Sequence, residues 1–203
     1  MKTIETVEAL RAIYGEPSQA AIAKVADRLT PAYRRWIEAS PFLAIATAGA
    51  DGLDCSPRGD DGAVVRIADA RTVMLPDWRG NNRVDSLENI VTDPRVALMF
   101  LVPGSRNALR INGSAVVAID EGLLESFEMD GRHPRSVIVV TIRAVYFQCA
   151  RALMRSGLWN PDRFIDPASL PSAGEMTKQA GAEDFDAERY DREWPERAHR
   201  SMW

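Results

Sequence analysis

Histidine and cysteine are scarce in this chain, with two of each among 203 residues. Cys55, Cys149, His133 and His199 show no close spacing, so a zinc site is not expected. Two cysteines cannot build a disulfide framework, which predicts a reducing, cytoplasmic setting. No apolar run approaches the roughly 20 residues needed to span a bilayer, so no membrane partner is expected. The opening "MKTIETVEAL" carries acids and lacks an apolar core, so no secretory signal is expected either. Basic excess is missing as well. The formal net charge is −4, which argues against general nucleic-acid binding. Sparse basic–aromatic interleaving on the strands argues the same way against a barrel that binds single strands.

Several catalytic signatures are absent. There is no GxSxG elbow and no Cys/His pair in a recognisable context, so nucleophilic catalysis finds little support. GxGxxG and GxxxxGK[ST] are missing, so a nucleotide would need another scaffold. His133 lies between "DGR" and Pro134 and reads as part of a surface loop. Asp60–Asp61 and Asp120–Glu121 sit in turn-like contexts and receive no acid–base role.

What is present is an ordinary globular composition, 46% apolar and 27% charged. The length suits one large domain or one domain with extensions. Residues 1–40 read as a helical extension packed on the domain that follows. Val7, Leu10, Ile13 and Tyr14 recur at helical spacing, and Gly15 and Pro17 end that element. Ser18 can cap a second helix carrying Ile22, Val25 and Leu29. "TP" at 30–31 reads as a helix start whose Tyr33, Trp36 and Ile37 face the core. Residues 41–160 change texture. "FLAIATA", "LDCSPR", "AVVRIAD", "RTVMLP", "VALMFLV", "ALRINGSAVVAI" and "SVIVVTIRAVYFQC" are strand-like runs separated by Gly/Asp turns. Helices are expected at about 83–93 and 121–129. The sum is a mainly β, α+β fold: an antiparallel barrel, closed or nearly so. After "ARALMRSGLWNP", a helix then a loop, residues 161–203 read as a polar tail. Its last part could be a helix broken at Pro195. It could stay solvated, or its two tryptophans could wrap onto a partner subunit.

Three stretches carry candidate chemistry. "PDWRGNNR" (76–83) joins an apolar strand to a helix. A turn into a helix presents unpaired N–H groups and the positive end of the helix dipole, a geometry suited to anions. Gly80 allows close backbone approach, Asn81 or Asn82 can cap the helix or face a ligand, and Arg79 and Arg83 offer donors suited to phosphate. The same residues could equally form a capped helix with solvated arginines paired to Asp77 and Asp85. In "DCSPRGD" (54–60), Pro57 removes a ladder donor and marks an edge or an open side. Ser56 and Arg58 share one face at period two, beside a ligand or on a bent surface strand. In "LRINGSA" (109–115), Arg110, Asn112 and Ser114 make a polar face that meets water, a cleft or a second subunit.

The order of these motifs resembles the pyridoxamine 5′-phosphate oxidase-like FMN-binding split β-barrel flavoproteins, over roughly residues 35–160. "SPRGD", "VMLPDWRGNNRVDSLENIVTDPRVALMFLVPG", "LRINGSA" and "RSGLW" carry the likeness, which is greatest to an uncharacterised bacterial-type subgroup. The resemblance implies a six-stranded antiparallel split barrel and a homodimer with FMN at the subunit interface. It places Cys55, Ser56, Pro57 and Arg58 beside the flavin, with Arg58 toward the ribityl–phosphate region. Pro76, Asp77, Trp78 and Arg79 would flank the ribityl chain. Asn81, Asn82 and Arg83 would hold the phosphate, with Asn82 where the family often has a second basic residue. Arg110 would approach from a neighbouring strand, and Arg155, Ser156 and Trp159 would cap the cleft, from the partner chain. The implied function is an FMN-dependent oxidoreductase acting on a small substrate through hydride transfer at flavin N5. A non-enzymatic flavin- or haem-binding protein and a deazaflavin-dependent reductase stand as alternatives. No catalytic residue is assigned.

Overall fold

The alternating runs of residues 42–148 form one antiparallel sheet in the computed structural model, which describes residues 1–50 and 52–202. Asp51 of the expected "GADG" turn and Trp203 of the tail lie outside the described residues. The strands are β1 (Phe42–Gly49), β2 (Gly52–Gly59), β3 (Arg66–Ile67), β4 (Thr72–Asp77), β5 (Arg95–Leu101), β6 (Ala108–Ala118) and β7 (Ser136–Gln148). Their spatial order is β2-β1-β5-β6-β7-β4-β3, and every pairing is antiparallel. The expected class holds, but the sheet has seven strands instead of six, and no pairing among the described residues closes β2 onto β3. β3 is only two residues long because the "AVV" that precedes it is held by a loop contact, Val64 N–H donating to the Ser40 carbonyl at 2.9 Å.

Alternation fills one face of the sheet. Leu43, Ile45, Leu98, Phe100, Leu109, Ile111, Ile138 and Val140 are buried there. Gly113 marks a bulge where β6 shifts register against β7. A Cβ there would stand 2.2 Å from the Thr141 carbonyl oxygen, so the strands approach at that point only with glycine.

The first three helices are α1 (Val7–Tyr14), α2 (Gln19–Ala23) and α3 (Pro31–Glu38), capped by Thr6, Ser18 and Thr30 as Ser/Thr oxygens accept the third N–H onward. α3 buries Ile37, with Tyr33 and Trp36 against the core. α2 stops at Ala23, short of the expected Val25 and Leu29. A β-bridge between Ala26 and Val145 draws the chain out of the helix there. α1 has no buried residue, and Val7, Leu10, Ile13 and Tyr14 are exposed.

The helix expected at 83–93 is α4 (Asp85–Thr92), which crosses β1 and buries Ser86 and Ile90. The helix expected at 121–129 is the shorter α5 (Glu121–Glu125). α6 (Arg151–Ser156) follows β7. The tail holds α7 (Ala173–Gln179), which the sequence reading missed, and α8 (Ala187–Arg200), which Pro195 does not break. Tyr190 and Trp194 stack at 6.0 Å one turn apart, and the Arg197 guanidinium lies over both rings, bridging the proline. No helix among the described residues is long and apolar enough to cross a membrane.

Candidate functional site

β2 is an edge strand, as Pro57 requires, and its side chains alternate. Asp54, Ser56 and Arg58 turn inward, while Cys55 and Pro57 turn out. β4 ends at Asp77, and the chain then turns through 78–84 into α4. That turn and the inward face of β2 enclose a cavity of about 440 Å³. Pro57, Arg58, Pro76, Asp77, Trp78, Arg79, Asn81, Asn82 and Arg83 all line it, together with Gly80, Asp60, Arg135, Ser136 and Met202. Ser56 lies just beside it, in a smaller cavity of about 330 Å³ shared with Asp54, Arg58, Asn81, Arg83 and Ser86. Two stretches some twenty residues apart thus converge.

The turn holds its shape through its asparagines. Asn81 Oδ1 accepts the Arg83 N–H at 2.9 Å. Asn82 takes a left-handed backbone, φ 61°, which asparagine tolerates better than most residues. Its Oδ1 accepts from Arg135 Nη1 at 2.7 Å. Neither asparagine caps α4, contrary to the expected cap. Val84 stands at the N-cap and offers no side-chain acceptor, so the first turn of α4 has no side-chain cap. Trp78 Nε1 donates to Asp60 Oδ2 at 3.2 Å, fixing the indole at the cavity wall.

Arginine dominates the electrostatics. Four arginines (58, 79, 83 and 135) and two aspartates (60 and 77) line the cavity. Arg83 pairs with Asp85 at 2.6 Å, an exposed pair of small strength. Among the described residues, Arg58, Arg79 and Arg135 form no direct ion pair with a carboxylate. Arg58 is steered by neutral acceptors: the Pro57 carbonyl at 2.9 Å and Ser86 Oγ at 3.4 Å. Ser86 and Ser56 both spend their hydroxyl protons on Asp54. The Ser86 hydrogen bond, chiefly, holds the Asp54 carboxyl below its ordinary value; Ser56 and the Arg58 charge add to it, and partial burial opposes.

Asp77 behaves oppositely. Burial raises its carboxyl above the ordinary range, and the Arg58 and Arg135 charges only partly offset this. A carboxyl raised on folding is costless below its unfolded value and costs stability as pH rises through the folded value. Asp77→Asn is therefore expected to raise the melting temperature of the ligand-free protein at pH 7. The gain should vanish below about pH 3.8, where the carboxyl is protonated in both states. Thermal melts at the two pH values check this; an equal gain at both would assign it to another cause.

Other expected site residues stand elsewhere in the chain. Arg110 lies on β6, over the Tyr146 ring at 5.4 Å, outside the cavity. Arg155 and Ser156 close α6, outside the cavity, and Trp159, whose Nε1 donates to the Ser105 carbonyl at 2.8 Å, lines a separate hollow. Cys55 is exposed on the outer side of β2. Conversely, Asp54, Ser86, Arg135 and Ser136 escaped the sequence reading. Asp54 continues the period-two face of Ser56 and Arg58, a signal that was there; Arg135 and Ser136 reach the site only through the pairing of β7 with β4. Among the described residues no group of three or more His, Cys, Asp or Glu side chains is placed to hold a metal ion.

Solved structures of similar shape have low sequence identity. A HupZ protein of Group A Streptococcus is 16% identical, with 58% of this chain and 91% of that one covered, at a TM-score of 0.48. A protein of Clostridium acetobutylicum related to general stress protein 26, of the pyridoxinephosphate oxidase family, is 15% identical over 57% and 84%, at 0.44. The FAD binding protein from Mycobacterium smegmatis is 13% identical over 61% and 97%, at 0.42. No curated protein matches the sequence. The family model described as Pyridoxamine 5′-phosphate oxidase matches residues 29–149. That span covers more than half of the chain and all seven strands, and the chain belongs to the pyridoxamine 5′-phosphate oxidase family.

Proposed function

We propose that the protein is an FMN-dependent oxidoreductase whose cavity between β2 and the 78–84 turn holds the ribityl phosphate of the flavin. The observation that carries this reading is the set of guanidinium groups, Arg58, Arg79 and Arg135, that face one cavity without a direct ion pair to a carboxylate among the described residues. The donor set fits a phosphate: four cations against two carboxylates, with asparagine amides between them. Membership of a family that generally binds flavin supports it.

On this reading Arg79 and Arg83 grip the phosphate, helped by the uncapped first turn of α4. Asn82 acts indirectly, by holding Arg135. The Cys55–Arg58 strand edge runs beside the ring. Family members are commonly dimeric, and Arg110, Arg155 and Ser156 would complete the cleft from the partner chain. Residues 41–160 then form the cofactor domain, 1–40 its helical extension and 161–203 a tail. When bound, the flavin supplies hydride exchange with a small substrate. The chain's own residues bind, orient and exclude water. Purified protein supplied with FMN and desalted should be yellow. A colourless protein after that treatment would sink the proposal.

A further inference from the structure

One polar group on the cavity floor is unpartnered among the described residues. Ser136 is 5% exposed and lines the cavity, yet its Oγ has no hydrogen-bond partner among the described residues. Buried hydroxyls are almost always paired, and a buried hydroxyl that is not calls for a partner from outside the chain. Directly across the β4–β7 ladder stands Asp77, its register partner on the same face. The Asp77 carboxylate is half-buried and accepts no hydrogen bond among the described residues; only its backbone carbonyl is engaged, by the Arg135 N–H at 3.0 Å.

Resting on the FMN reading above, we propose that Ser136 and Asp77 recognise a hydroxyl of the ribityl chain. A ligand hydroxyl is both donor and acceptor. It can donate to the Asp77 carboxylate and accept from Ser136 Oγ, which satisfies both groups at once. An ionised phosphate cannot do this, because its oxygens only accept and have no proton to donate to Asp77. The cavity is therefore divided. Arg79 and Arg83, on the turn, serve the anionic end, and the Asp77–Ser136 floor serves a neutral polyol. Burial that favours the protonated Asp77 carboxyl does not alter the match, since a protonated carboxyl still accepts from a hydroxyl.

Flavin fluorescence titrations with FMN and with riboflavin, which keeps the ribityl chain and lacks the phosphate, separate the two ends. Ser136→Ala should weaken both ligands alike, by about five- to ten-fold, as one lost hydrogen bond allows. The melting temperature of the ligand-free variant should not fall, since the deleted hydroxyl bonds to nothing among the described residues. Asp77→Leu, similar in shape but with no acceptor, should also weaken both ligands. Unchanged affinities in Ser136→Ala, or a loss confined to FMN, would overturn the inference while leaving the FMN reading in place. A wild-type protein that binds neither flavin would overturn both.

Discussion

Arg83→Ala is expected to weaken FMN binding by at least about 1.5 kcal/mol, roughly ten-fold, the low end for a charge-assisted hydrogen bond. Arg83 stands where the 78–84 turn enters α4, and its side chain is 78% exposed. Its bond to Asp85 is a surface ion pair and contributes little, so the guanidinium is free to be recruited by a stronger anion. The two-pronged guanidinium matters as well as the charge. Arg83→Lys should recover part of the affinity, because a lysine keeps the charge but cannot bind two oxygens in one plane. Riboflavin affinity should not change in Arg83→Ala. Unchanged FMN affinity would move the phosphate away from the turn.

Phe100→Ala should cost about 3–5 kcal/mol of folding stability, read as a lower denaturant midpoint. Phe100 is fully buried, and its register neighbours are Leu43 on β1 and Leu109 on β6. Leu43 in turn pairs with Arg58 on β2, so the cavity wall is one end of this row. Close-packed surroundings cannot collapse into so large a hole, because the strands are held in place by ladder hydrogen bonds. A cost under about 1 kcal/mol would mean that the row is not packed as described.

The strands were legible because burial on one face writes a two-residue period into the sequence, as in Leu43, Ile45 and Thr47. The helix starts at Ser18 and Thr30 were legible because a cap acts within four residues. Where a distant contact decides, local pattern fails. "AVVRIAD" has strand composition, but Ser40 ties down its first half. Pro195 breaks an isolated helix, but aromatic stacking within α8 spans it, and the Gly174 N–H donating to Asp191 at 2.8 Å holds α8 against α7. The site divides the same way. Arg58, Arg79 and Arg83 lie in stretches whose composition is unusual in itself. Ser136 and Arg135 sit at the start of an ordinary-looking strand, and only the β4–β7 pairing brings them beside Asp77. The misplaced helix cap has a local cause: Asn81 satisfies its oxygen on the Arg83 N–H, two residues on, before the helix begins.

Titration of the purified, flavin-free protein with FMN, followed by quenching of flavin fluorescence, tests the central claim most directly. The expected result is saturable binding of one FMN per chain, weakened by Arg83→Ala, with light scattering of the loaded form giving two chains of 22.5 kDa. Absence of saturable FMN binding would contradict the claim.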